Sequence, residues 1–154
     1  MTDSGPSIDA LQAFMEAGFP GGVPWSITDI GDSVRIEMTA TESSIRPGGT
    51  VSGPTLMMLA DSAAYTMVLS RIGLQGLAVT SNLSIDFLRR PRPGTVSATA
   101  HLLKLGRSLA VVRVDLHSAA GEAGQHGGSD QPNLVAHATV TYSMALLERS
   151  TNTG

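Results

Sequence analysis

Residues 50–70, TVSGPTLMMLADSAAYTMVLS, hold one carboxylate, Asp61, inside a segment that is otherwise apolar on almost every side. An isolated ionised carboxylate on a buried helix costs on the order of several kcal/mol unless it is hydrogen-bonded, paired or neutralised. A charge kept there either faces solvent, bonds locally to Ser62, Tyr65 or the backbone, or does chemistry as a general base or nucleophile. Gly53 opens the same segment, where a helix presents unpaired N–H groups and the positive end of its dipole to a carbonyl oxygen. A second set of chemistry-bearing residues is FLRRPRPG, which concentrates Arg89, Arg90 and Arg92 in a chain with 10 basic residues. Guanidinium groups match phosphate geometry, although a solvated charged loop would read the same way. His101, His117, His126 and His137 have no metal-ligand spacing and cysteine is absent. No metal or prosthetic group is therefore expected.

The elements that must position these residues follow from local patterns. SIDALQAFMEAG places Ile8, Leu11, Phe14 and Met15 on one helical face, with Ser7 as cap and Gly18 as stop. SVRIEMTAT alternates Val34, Ile36, Met38 and Ala40 against Arg35 and Glu37, the period of a half-buried strand, and residues 25–30 are its expected partner. SSIRPGGTVSGP reads as a loop, Pro54 suits the first helical position, and the helix runs to about Arg71 with Gly73 at its stop. Four segments rich in Val, Thr, Ala and Leu follow as strands, so the expected structure is six strands, in a meander after one long buried helix. Residues 119–133 lack apolar periodicity and are expected to form a mobile loop, and about 1–6 and 147–154 are expected to fray.

Composition narrows the class. At 154 residues the chain is expected to be one domain, 1–154. Hydrophobic residues are 42% and charged ones 15%, which leaves little polar surface for a monomer and predicts an oligomer. A net charge of −3 offers no basic field for nucleic acid. Asp61 interrupts the longest apolar stretch, and MTDSGPSIDA is acidic rather than signal-like, so a cytoplasmic chain with no membrane span is expected.

The order SGPTLMMLADSAAY, VTSNLSIDFLRRPRPG and LLKLGRSLAVVRVDL resembles the hotdog-fold acyl-CoA thioesterases of the phenylacetate-degradation type, over roughly residues 43–145. The resemblance implies an α+β fold in which a curved antiparallel sheet wraps around one central helix. It also implies hydrolysis of an acyl-CoA thioester to free acid and CoA without a cofactor, by a homodimer or a dimer of dimers. The family's helix carboxylate falls on Asp61 after Ala60, its oxyanion-binding glycine on Gly53, and its strand-start hydroxyl on Thr80. Arg46, Ser52, Tyr65, Arg89, Arg90 and Arg92 are the expected substrate-binding residues, the arginines of the FLRRPRPG loop facing the phosphates of CoA. Three positions depart from the family: Ser52 stands for its His, Pro54 for its second Gly and Arg46 for its usual Asn. An HGG triplet occurs at 126–128, in the late loop with no helix after it. The departures favour, as the alternative, a non-catalytic acyl-CoA-binding or regulatory module. A hotdog hydratase is disfavoured because no Asp and His pair opens the helix. Gly53 and Asp61 are eight residues apart, hence about 12 Å along a helix axis. One carbonyl cannot touch both on the same chain, and the resembled family builds its site across a dimer, so a shared site is expected.

Overall fold

The computed structural model describes residues 5–75, 77–119 and 133–144. Helix α1 (Ile8–Gly18) is capped by Ser7, whose Oγ accepts from the Ala10 amide at 3.1 Å, and it buries Leu11 and Met15. It ends at Gly18 as expected, but without a left-handed glycine at that position. Gly18 is the last helical residue, Phe19 before Pro20 is extended, and the left-handed turn falls instead on Gly21 and Gly22, at φ 83° and 80°. The ring of a proline disfavours helical backbone in the residue before it, so Pro20 ends the helix.

Strands β1 (Ser26–Ile30) and β2 (Ser33–Thr39) form an antiparallel hairpin, with Val34, Ile36 and Met38 buried and Arg35 exposed. Helix α2 (Gly53–Ile72) follows, capped by Ser52 and ended by Gly73 at φ 94°, a conformation that favours glycine. Gly53 rather than Pro54 is its first residue. Neither has an intrahelical acceptor for an N–H, so proline is tolerated at both positions.

Strands β3 (Val79–Phe87), β4 (Thr95–Leu105), β5 (Leu109–Ser118) and β6 (Asn133–Ser143) complete one six-stranded sheet in the order β1-β2-β4-β5-β6-β3. All its pairs are antiparallel. The expected meander holds for β4, β5 and β6, but the chain lays β3 at the far edge beside β6 before crossing back to β4. Pairing partners of a strand are not written in its own alternation, which is why the crossover was not legible.

The sheet face that receives α2 is built from small residues, among them Ala98, Ala100, Ala110, Ala136 and Ala138, all fully buried. They let the helix sit close, and it fills the space with Leu56, Leu59, Met67 and Leu69. Beyond Ala63 the helix is buried on every side except at Tyr65 as far as Ser70. Nearer its start it is not: Met57, Met58, Asp61 and Ser62, continued by Tyr65, form a stripe that the sheet leaves partly open. Full enclosure of the helix, expected from its apolar circumference, is thus limited to its second half. The expected loop at 119–133, with its HGG triplet and His126, and the expected frayed ends fall outside the described residues except Gly5, Pro6, Ala119 and Asn133. No helix among the described residues is long and apolar enough to cross a membrane.

Candidate active site

Asp61 stands on the open stripe of α2, half-buried, and its carboxylate is hydrogen-bonded. Thr80, the second residue of β3, donates from Oγ1 to Asp61 Oδ1 at 2.8 Å. The Tyr142 hydroxyl, near the end of β6, reaches the same Oδ1 at 2.5 Å and the main-chain oxygen of Asp61 at 2.8 Å. Thr80 and Tyr142 are register partners across the β3–β6 pair, so one rung of the sheet delivers both hydroxyls to one oxygen. The register shifts just after Thr80, between Thr80 and Asn82, an irregularity of the kind that re-aims side chains at strand ends. Tyr142 is 2% exposed and its ring stacks on Tyr65, with centroids 5.9 Å apart and planes 14° from parallel. Burial first, and then the adjoining Asp61 carboxylate, hold the Tyr142 hydroxyl far above the usual tyrosine range; burial also raises Tyr65.

These groups border a cleft of about 370 Å³. Asp61, Thr80 and Tyr142 form its polar side, and Met58, Tyr65, Val79 and, from α1, Met15 and Phe19 form the apolar side. Such a cleft suits a polarised group bonded to an apolar tail. Met58 and Tyr65 thus line the cleft, whereas Met67 and Leu69 are in the core and Met57 is exposed.

Gly53 lies elsewhere, at the start of the helix, and does not border this cleft. Ser52 Oγ accepts from the Thr55 amide at 3.2 Å and pairs with Thr55 Oγ1 at 2.7 Å, so its hydroxyl serves the helix cap. Among the described residues nothing accepts from the Gly53 amide. A Cβ at Gly53 would lie 3.4 Å from the Phe87 ring, so the backbone here is approached closely from β3. The Arg46 loop and the arginine loop meet at this end: the Val51 amide donates to the Pro91 carbonyl at 3.0 Å. Arg46, Arg89, Arg90 and Arg92 are all exposed there.

The fold therefore makes two groups from the residues singled out in the sequence. Asp61, Thr80 and Tyr65 are together; Gly53, Ser52, Arg46 and the loop of Arg89, Arg90 and Arg92 are together at the helix start. Sequence reasoning missed Tyr142. Strand alternation alone places it inward with Val140 and Ala138, but only the β3–β6 register brings it to Asp61. Of the histidines, His137 Nδ1 bonds Asp115 Oδ1 at 2.7 Å on the sheet face away from α2.

Comparison with known proteins places the chain in a family. The family model described as thioesterase superfamily matches residues 48–125. A protein from a Silicibacter species, whose crystal structure is provisionally described as a thioesterase, is 40% identical, with 89% of this chain and 90% of that chain covered and a TM-score of 0.74. The phenylacetic acid degradation protein PaaI from Thermus thermophilus is 26% identical over 85% of this chain and 97% of its own, with a TM-score of 0.64. A provisionally assigned esterase of Deinococcus radiodurans is 33% identical over 95 residues, which is 61% of each chain, so the match spans less than two thirds of that relative. With the six-stranded sheet packed on its central helix and the family model matched across half its length, the chain belongs to the thioesterase superfamily, with the hotdog fold.

Proposed function

We propose that the chain hydrolyses acyl-CoA thioesters, with Asp61 as general base or nucleophile and the Gly53 amide as oxyanion donor. The observation that carries the reading is the Asp61 carboxylate, held at Oδ1 by Thr80 on the polar side of a cleft whose other side is apolar. An acyl group would lie against Met58, Tyr65 and Phe19. Thr80 spends its proton on Asp61, so toward water its oxygen can only accept. A water donating one hydrogen to Asp61 and the other to Thr80 would turn its lone pair to the thioester carbon. Proton transfer to a positioned base of this kind contributes typically about 100- to 10,000-fold. The helix start supplies the N–H and the positive dipole end that stabilise the oxygen as it gains charge. The four arginines there would hold the phosphates of CoA.

Gly53 and Asp61 are about 12 Å apart along one helix, so the reading requires two copies, Gly53 from one and Asp61 with Thr80 from the other. The open stripe of α2 and the exposed apolar residues of edge strand β3, Val79 and Phe87, give a second copy a surface to cover. A homodimer, alone or paired, is the assembly proposed.

The test is release of free CoA thiol across short, medium, long and aromatic acyl-CoAs. Turnover of any of them supports hydrolysis. Tight binding of the panel with no turnover would replace the enzyme with an acyl-CoA-binding module, the role that Ser52, Pro54 and Arg46 in place of the family's residues would suit.

A further inference from the structure

We infer that Tyr142 is a positioning residue for the proposed hydrolysis: together with Thr80 it anchors Oδ1 of Asp61 and leaves Oδ2 as the oxygen that meets water or the thioester carbonyl. The inference rests on the reading of Asp61 as base or nucleophile. It starts from reach. The Tyr142 hydroxyl has one hydrogen and two acceptors, the Asp61 main-chain oxygen at 2.8 Å and Oδ1 at 2.5 Å. The shorter distance is that of an O–H bonded to a charged oxygen, and the charged acceptor receives the hydrogen bond.

Convergence comes next. Thr80 donates to the same Oδ1 from the position paired with Tyr142 in the β3–β6 ladder, so both donors are fixed to one rung of sheet. Among the described residues nothing donates to Oδ2. A carboxylate free to turn about its last bond would offer either oxygen to substrate. One tied at Oδ1 from two sides offers only the other, and small losses of such alignment are expensive in rate.

The donor is also permanent. Its ring is held by stacking on Tyr65, and burial with the nearby carboxylate keeps the hydroxyl protonated. A merely structural tyrosine would need only some acceptor for a buried hydroxyl, and the helix carbonyl would serve. Losing it would then cost stability and leave turnover alone.

Tyr142→Phe separates the two roles, since it keeps the ring and removes the hydroxyl. The expected result is a kcat lower by about 10- to 100-fold with KM changed less than about threefold. In an Asp61→Asn background the same substitution is expected to change the residual rate less than about twofold, because the group it positions has lost its charge. A kcat within twofold of the parent, or an equal loss in both backgrounds, overturns the inference while leaving Asp61 in its role. Full activity in Asp61→Asn sinks the reading of Asp61 itself, and the two failures are distinct. Should Tyr142→Phe not fold, or the residual rate be too low to measure, fluorine NMR decides. The chain has two tyrosines, so 3-fluorotyrosine in a Tyr65→Phe chain labels Tyr142 alone. Its resonance is expected to move when Asp61→Asn is added, and an unmoved resonance overturns the inference.

Discussion

At the scale of the residue, a charge on an apolar helix is tolerated because the fold gives it donors. Asp61 keeps a hydrogen-bonded oxygen on the protein side and remains half-exposed to the cleft, so the cost of burying a bare carboxylate is not incurred. The cost moves to Tyr142, whose proton is retained in the folded chain to higher pH than in the unfolded one. The sign follows from proton binding. Below about pH 10 both states hold this proton and it adds no slope; above it the unfolded chain sheds the proton first, so stability falls as pH rises, by up to about 1.4 kcal/mol per pH unit. Urea denaturation at pH 9, 10 and 11 should show the parent losing stability more steeply than Tyr142→Phe. Parallel losses would mean that Tyr142 ionises alike in both states.

At the scale of the element, the start of α2 concentrates what an anionic transition state and a polyphosphate need. Ser52 is extended, at φ −73° and ψ 152°, the backbone that a residue before proline adopts. Gly53→Pro is thus compatible with the backbone of the helix start; it deletes the amide hydrogen and adds a ring whose Cβ would pack 3.4 Å from Phe87. It is expected to lower kcat by about 100- to 1,000-fold, the usual cost of one oxyanion donor, with the circular dichroism spectrum unchanged. A fully active Gly53→Pro protein would remove Gly53 from the mechanism. The arginine loop makes a different prediction. Reversing charge at Arg89, Arg90 and Arg92 should raise KM for acyl-CoA at least about tenfold and hardly touch a small thioester without phosphates. Equal damage to both substrates would assign the loop to structure.

At the scale of the whole molecule, the proposed site is complete only when two chains meet. If Gly53 and Asp61 act from different chains, the inactive variants Gly53→Pro and Asp61→Asn should complement each other. After refolding together, random pairing makes about half the dimers mixed, and each mixed dimer carries one intact site of two, so roughly a quarter of parental activity returns. The measurement is thioesterase rate after verified subunit exchange, against each variant refolded alone. Mixed samples no more active than the separate variants would place both groups on one chain and require a different oxyanion donor.

What the sequence determined by itself was local. Alternation in SVRIEMTAT, the Ser52 cap, Gly73 and the apolar circumference of α2 depend on neighbours a few residues away, and these elements formed within a residue or two of their expected places. Asp61 was marked by its charge on an apolar helix and by the family motif, and Thr80 by the motif alone. Tertiary structure alone decided the rest. The placement of β3 beside β6 depends on which strands pair, and alternation carries no information on pairing. The same register sets Tyr142 opposite Thr80 and over Asp61, 81 residues away in sequence, a meeting that no local pattern encodes. Helix α1 ends at Gly18 as expected, although Pro20 rather than a left-handed glycine closes it, and α2 proved half open because the sheet is too short of cover for the stripe that carries the carboxylate.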